Sequence, residues 1–255
     1  MVVSRGTRIC ILLLTAAAGI VAVIFMPPIA QDPSYHQFVD TRRIFNIPSF
    51  WNVVTNLSFV LVGLLGLAAT PSRMPTEQAP SPGLGHKVFF IGLILTGLGS
   101  AYYHYAPSTP TLFWDRLPMA ISFMAFLTLV LGDSVSPSLA KRVLGPLLLV
   151  GIGSVVYWYA TELKGAGDLR PYGLVQYLPA LLIPLTLILF GSRTFRRGPL
   201  WMCLGLYALA KVAESLDAPI FDRTRVVSGH SIKHLLAAAG AFCAYLAFRG
   251  KPTKL

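Results

Sequence analysis

The segment GSAYYHYAPSTPTLFWDRLPM (residues 99–119) joins two long apolar runs through the short polar stretch PSTPT. An apolar run of about 20 residues is long enough to cross a bilayer as a helix. The segment therefore predicts two consecutive membrane helices that meet at one membrane surface. Ser100 and His104 lie at the end of the first helix and Asp115 at the start of the second. We expect these three polar side chains to lie close together.

The composition extends this interpretation to the whole chain. Of its 255 residues, 55% are hydrophobic and 12% are charged, and the charged share is about half that of a typical soluble domain. We predict an all-α integral membrane protein with a seven-helix transmembrane core and one additional N-terminal helix. The apolar runs lie at residues 9–29, 50–70, 88–106, 112–132, 143–162, 173–192, 199–217 and 229–248.

The first apolar run is either a signal peptide or a membrane anchor, because it follows Arg5 and Arg8. It is longer than the usual apolar region of a signal peptide and lacks a clear small-residue cleavage pattern, which favours an uncleaved helix. The predicted organisation is an N-terminal membrane or signal segment (1–30), an extracytoplasmic loop (31–49), a seven-helix catalytic domain (50–250) and a cytoplasmic tail (251–255).

The net charge of +11 is distributed unevenly among the loops. When loops are assigned alternately to two sides, the side of the termini holds twice as many Lys and Arg residues as the other side. Positive residues favour the cytoplasmic side of membrane proteins, so both termini are predicted to be cytoplasmic. The charge orients the chain and does not imply nucleic-acid binding. The sequence predicts no oligomeric state.

Two histidines in the last apolar run suggest a metal site. His230 and His234 are four residues apart in SGHSIKHLLAAAG, so they project from one helix face and can hold one ion. The loop alternation places them at the same membrane depth as Ser100, His104 and Asp115. Two of these residues also have plainer explanations. Asp115 has the position of a charge at a helix N-terminus, and Ser100 has that of a helix-packing residue. Their shared depth favours a metal site.

Ionisable residues near the outer ends of the later runs predict a polar cavity, because such groups normally face a cavity or one another. Glu214 and Asp217 are candidates for orienting a metal-bound imidazole, although Glu214 also has the spacing of an ion pair with Lys211. Tyr172 and Gln176 are candidates for the substrate path. A tyrosine at this depth is also typical of the membrane interface.

Together these motifs resemble a known superfamily. The pattern SxxxH, an Asp eleven residues later and HxxxH on the final helix is similar to that of alkaline ceramidases, adiponectin-type receptors and Per1-type lipid-remodelling proteins. The segments SFWNVVTNLSFVLVGLLGL, DLRPYGLVQY and YALAKVAESLD most resemble the alkaline ceramidase branch, especially its bacterial members. The resemblance covers Tyr35 to Phe248. It implies a core of seven helices from residue 50 onward, with one extra helix in front. The loop assignment above then predicts, for a bacterial member, location in the inner membrane with the active site on the extracytoplasmic side.

The resemblance also implies roles for individual residues. His104, His230 and His234 would bind Zn²⁺, Asp115 would deprotonate the attacking water, and Ser100 would steady that water or the resulting oxyanion. The implied reaction is hydrolysis of a ceramide-like N-acyl lipid to a sphingoid base and a fatty acid. Two alternatives remain open: a zinc-containing receptor or sensor with little turnover, and a hydrolase of a different acyl lipid.

The chain departs from eukaryotic alkaline ceramidases at their calcium site. Those proteins have a Glu immediately before the Phe-aromatic-Asn segment, and this chain has Ser49 there. The preceding loop offers only Asp32 and Asp40 as carboxylates, too few for a calcium cage. Calcium binding is therefore in doubt, and Asp40 is expected to pair with Arg42 or Arg43 or to cap the loop.

Overall fold

The computed structural model describes residues 4–69 and 83–250, and these ranges are helical with no named β-strand. The all-α prediction is confirmed. The predicted tail at 251–255 lies outside the described residues. A short 3₁₀ helix covers Pro33–His36. The α-helices are α1 (Arg5–Phe25), α2 (Phe50–Val54), α3 (Leu57–Ala68), α4 (Leu84–Tyr105), α5 (Thr109–Ser134), α6 (Pro137–Leu163), α7 (Arg170–Phe190), α8 (Arg197–Ser215), α9 (Asp217–Thr224) and α10 (Gly229–Phe248).

Within the described ranges, seven spans are long and apolar enough to cross a membrane, with α2 and α3 together forming one of them. The chain is thus a multi-pass membrane protein. The run predicted at 199–217 forms α8, but this helix is not among the seven, because Lys211 and Glu214 reduce its hydropathy. Helix α8 nevertheless packs extensively against α10, so it belongs to the bundle.

The junction between α4 and α5 is tight. Helix α4 ends at Tyr105, and α5 begins at Thr109, three residues earlier than the predicted run. Ser108 caps α5, because its side chain accepts from the Thr111 N–H while the Thr111 side chain accepts from the Ser108 N–H. This reciprocal arrangement satisfies backbone donors that a helix start otherwise leaves free.

Helices α4 and α5 touch at Gly99. A Cβ atom at Gly99 would collide with the backbone carbonyl of Trp114, so the two backbones approach more closely than any larger residue allows. The contact places the residues that follow, Ser100 and Asp115, beside each other. Helix packing is the plainer explanation of Ser100 given above, and the close approach of the two helices occurs at the preceding residue, Gly99.

The loop at residues 31–49 folds over the end of the bundle. The Asp40 carboxylate accepts from Nε and Nη2 of Arg42 at 2.8 and 2.7 Å, and Arg42 also donates to the carbonyls of Arg225 and Val226. The loop is thereby tied to the connection between α9 and α10. The expected pairing of Asp40 is with Arg42. Asp32 instead accepts from the Ser34 N–H at 2.8 Å and begins the 3₁₀ helix.

Candidate metal centre and cavity

Three histidines from two helices meet at the end of the bundle. His104 lies in the last turn of α4, and His230 and His234 lie in the first turns of α10. Their ring centroids are 4.8, 4.9 and 5.0 Å apart, and one nitrogen from each lies within 4.8 Å of the others. All three are buried. The ranges 4–69 and 83–250 contain no other such group of His, Cys, Asp and Glu.

The helix break between α2 and α3 fixes the proton on His234. Thr55 ends α2, and its hydroxyl donates to the Trp51 carbonyl at 2.6 Å. The same oxygen lies 3.0 Å from His234 Nδ1. A hydroxyl has one proton, and the other polar neighbour of Nδ1, the amide nitrogen of Asn56, lies farther away at 3.4 Å. We therefore assign the shorter contact as His234 Nδ1–H donating to Thr55 Oγ1. The lone pair of His234 is then on Nε2, which is the tautomer a metal ligand needs.

The other two imidazoles have different surroundings. Nδ1 of His104 is buried without a hydrogen-bond partner among the described residues. The Phe38 ring covers both His104 and His230, with centroid distances of 4.5 and 4.9 Å. Nε2 of His230 lies 2.8 Å from the ammonium nitrogen of Lys233. Three imidazoles packed together with one unpartnered nitrogen fit a metal ion, but a metal on His230 Nε2 would replace the contact with Lys233.

The two carboxylates expected near the histidines do not contact an imidazole directly. Glu214 accepts from Lys233 at 3.0 Å and from Lys211, so it reaches His230 only through Lys233. Asp217 accepts from the backbone N–H of His230 at 2.7 Å and so holds the first turn of α10. The side chains with the shortest hydrogen bonds to imidazoles of the cluster are Lys233, at His230, and Thr55, at His234; sequence reasoning missed the role of Thr55. The only sequence signal is a polar TN pair inside an apolar run.

Ser100 and Asp115 lie side by side and both are buried. The Ser100 hydroxyl lies near the Asp115 carboxylate, and Asp115 also interacts electrostatically with Lys233. One carboxylate oxygen, Oδ1, has no hydrogen-bond partner among the described residues. Asp115 is therefore linked to the histidine cluster through Lys233 and keeps one oxygen free to accept a proton.

A cavity of about 700 Å³ opens beside this cluster. Its polar end includes Ser100, Asp115 and His234, and most of its remaining lining is apolar side chains from α4, α5, α7, α8 and α10. Such a volume with mostly apolar walls and few polar groups is typical of small-molecule sites. Of the residues proposed from sequence for the substrate path or the surroundings of the metal, Tyr172, Gln176 and Glu214 line the cavity, and Asp217 is not among the lining residues.

The loop at residues 31–49 carries a fourth histidine, His36, whose ring contacts two residues outside the cluster. His36 Nδ1 lies 3.0 Å from the Tyr103 hydroxyl, and His36 Nε2 lies 3.2 Å from Thr109 Oγ1. Burial and, to a smaller extent, the charge of Arg116 lower the pKa of His36. Neutral His36 thus joins the loop to α4 and α5 and is not a member of the metal cluster.

Comparison with known proteins supports the resemblance. The family model described as Ceramidase matches residues 44–170, about half of the chain. The matched region contains Ser100, His104 and Asp115 but ends before His230 and His234. A search among curated proteins found no match. With its all-helical membrane fold and its buried histidine cluster, the chain belongs to the ceramidase family.

Proposed function

We propose that this chain is a zinc-dependent membrane hydrolase that cleaves the amide bond of ceramide-like N-acyl lipids to a sphingoid base and a fatty acid. The observation that carries the proposal is the buried cluster of three histidines, of which His234 lines the polar end of an apolar cavity together with Asp115. Family membership supports an amide hydrolase. The lipid-sized, largely apolar cavity supports an acyl chain as part of the substrate.

In this proposal His104, His230 and His234 hold the metal. The hydrogen bond from His234 Nδ1 to Thr55 orients that ring with Nε2 free for coordination. Bound zinc would supply Lewis-acid polarisation of the amide carbonyl and would lower the pKa of water at the site.

Side chains that line the cavity carry out the proton transfer and position the substrate. Asp115 accepts the proton of the attacking water on its unpartnered oxygen Oδ1 and delivers it to the departing amine. Ser100 lies against the same carboxylate. Its single hydroxyl proton is directed to Asp115 before the reaction and becomes available to the developing oxyanion once Asp115 has taken the proton of the water. The apolar walls position the acyl chain and exclude water from the reacting amide.

We further propose that the protein lies in a bacterial inner membrane, with both termini cytoplasmic and the active site facing the extracytoplasmic side. The support is the uneven distribution of Lys and Arg among the loops. Arg73, Lys251 and Lys254, which contribute to that count, lie outside the described residues.

The test combines metal analysis and turnover on one preparation. We expect about one zinc per chain by elemental mass spectrometry, together with release of fatty acid from a fluorescent ceramide that stops when a chelator is added. Zinc without turnover of any acyl lipid would favour a receptor or sensor, and turnover of a lysolipid ester alone would favour a different hydrolase. A preparation that hydrolyses ceramide without bound metal would refute the zinc-dependent reaction.

A further inference from the structure

Arg116 lies beside Asp115 at the polar end of the cavity and is only 6% exposed. Three aromatic rings surround its guanidinium carbon, at centroid distances of 4.3 Å for Trp158, 4.9 Å for Tyr172 and 5.3 Å for Tyr35. These rings come from α6, α7 and the 3₁₀ helix. Aromatic faces attract a cation, so the cage fixes the guanidinium in place without neutralising its charge.

The guanidinium has no hydrogen-bond acceptor among the described residues, and its Nη1 is fully buried without a partner. Two other arginines of the chain have a carboxylate as hydrogen-bond partner. Arg42 donates through Nε and Nη2 to Asp40, and Arg170 donates through the same two atoms to Asp168, each at 2.8 Å. Leaving a buried charged donor unpaired is costly. Arg116 therefore lacks the kind of partner that the other two arginines have.

Among the described residues, no carboxylate forms an ion pair with the Arg116 guanidinium. Asp115 adjoins Arg116 but forms no ion pair with it, and its Oδ1 is itself unpartnered. Glu214, the other carboxylate of the cavity lining, is engaged by Lys211 and Lys233. The polar end of the cavity is thus lined by a caged guanidinium that has no hydrogen-bond acceptor among the described residues.

We propose that Arg116 binds an anionic oxygen group on the head of the lipid substrate, and hence that the preferred substrates are N-acyl lipids with a carboxylate or phosphate near the amide. This inference rests on the proposed function, which supplies the amide and the acyl chain. The planar guanidinium matches the geometry of both oxyanions. Because Arg116 follows Asp115 in α5, an anion held there keeps the neighbouring amide next to the proposed base.

A second anion has the same oxygen chemistry and can contact Arg116: the carboxylate of the fatty acid released by hydrolysis. Matched ligands distinguish the two. N-Palmitoyl-serine carries a head-group carboxylate, N-palmitoyl-serinol replaces it with an alcohol, and palmitate carries only the product carboxylate. Ceramide 1-phosphate and ceramide with the same acyl chain form a second charged and neutral pair.

The experiment measures displacement of a fluorescent N-acyl lipid from the full chain in lipid nanodiscs with chelator present, so that no turnover occurs. In the unaltered chain we expect at least one anionic ligand to bind about tenfold more tightly than its neutral counterpart. Arg116→Gln should abolish this difference, and Arg116→Lys should restore only part of it. Arg170→Gln, which alters a cavity arginine that already has a carboxylate partner, should retain the difference.

Equal affinity for charged and neutral head groups in the unaltered chain would overturn the proposal without reference to any variant. Tighter binding of palmitate alone would instead assign Arg116 to the released fatty acid and refute the head-group role. A preference that persists in folded Arg116→Gln protein would show that another cation provides it. Since binding is read without turnover, a preference for anionic lipids in a chain that never hydrolyses them would reject the proposed function and, with it, the substrate preference, and would leave only Arg116 as a binding residue for anionic lipids.

Discussion

At the scale of single residues, the site depends on hydrogen bonds that decide which atoms are free. His234 is prepared for coordination because Thr55 Oγ1 accepts the proton on its Nδ1. Asp115 is prepared to accept a proton because one of its oxygens has no partner among the described residues. These are small differences in local bonding, and each one is testable by a substitution that changes few atoms.

Thr55→Val removes the acceptor for His234 Nδ1 while keeping the side-chain size. We expect zinc affinity to fall by about 10- to 100-fold, as is typical when a ligand loses the group that orients it. Competition with a fluorescent zinc chelator measures the change. Thr161→Val is the control, because its hydroxyl bonds only backbone groups, two carbonyls of α6 and the Asp168 N–H in the connection to α7. An unchanged affinity in Thr55→Val would remove Thr55 from the metal site.

Asp115→Asn and His230→Ala separate the proposed base from a proposed ligand. Asp115→Asn should retain zinc and lose turnover by about 10²- to 10⁴-fold, because the amide cannot accept the proton. His230→Ala should lose both zinc and turnover. Metal content and fatty-acid release on the same samples provide the readout. Equal loss of zinc in both variants would contradict the role assigned to Asp115.

At the scale of elements, backbone approach brings the catalytic candidates together. Gly99 of α4 faces the Trp114 carbonyl of α5, and Gly229 at the start of α10 faces the carbonyl of Ala213 in α8. A side chain at either glycine would separate the helices that carry the site. Helix packing, more than loop structure, therefore sets the distance between Ser100 and Asp115.

Gly99→Ala should destabilise the protein by about 1–3 kcal/mol, because the new methyl group overpacks the α4–α5 contact. Activity should fall further than stability alone explains, since Ser100 and Asp115 move with the two helices. Thermal unfolding in detergent measures the first effect, and turnover below the unfolding temperature measures the second. Gly153→Ala is the matched control, because a Cβ at that position in α6 meets nothing within 4 Å. Comparable losses in both variants would argue against a special role for Gly99.

The connection between α6 and α7 contains a pH-sensitive ion pair. Hydrogen bonds from Arg170 lower the pKa of Asp168. The native chain therefore binds fewer protons than the unfolded chain between the lowered pKa and about 3.9. The pair contributes stability above pH 3.9, and this contribution is lost as the pH falls through the lowered pKa.

Asp168→Asn should lower stability by about 1 kcal/mol at pH 7, and the difference from the unaltered chain should shrink as the pH approaches 3. Thermal midpoints measured across this range test the prediction. Asp222→Asn serves as the reference, because that side chain is 63% exposed and its arginine lies 3.6 Å away. A difference that stays constant with pH would mean that the Asp168 charge does not contribute.

At the scale of the whole molecule, α1 is part of the cavity wall. It packs against α7 and supplies Gly19 and Val23 to the lining, and Met26, directly after the helix, also lines the cavity. Arg5 and Arg8 donate to carbonyls of Val135 and Leu189, which fastens the start of α1 to the bundle. Removal of this helix would open the apolar part of the cavity to lipid.

We therefore expect α1 to remain attached in the mature protein. Mass spectrometry of the membrane-purified chain should give a mass, and tryptic peptides, that include the residues of α1. A mass corresponding to cleavage near residue 30 would mean that α1 is a signal peptide and that another element closes the cavity.

Substitution of Gly19 by Leu, which would meet the Leu178 side chain, should reduce lipid binding while leaving zinc content unchanged.

Hydropathy and i, i+4 spacing are local properties of the chain, so the membrane class, the helical runs and the three histidines could be predicted from the order of residues. That order could not reveal Thr55 as the partner of His234, the aromatic cage around Arg116 or the contribution of α1 to the cavity. Each of these joins residues from different helices, and only the packing of the bundle decides which side chains meet. The same reason explains why Asp217 proved to bond a backbone N–H, since its place beside α10 is visible in sequence but its bonding partner is not.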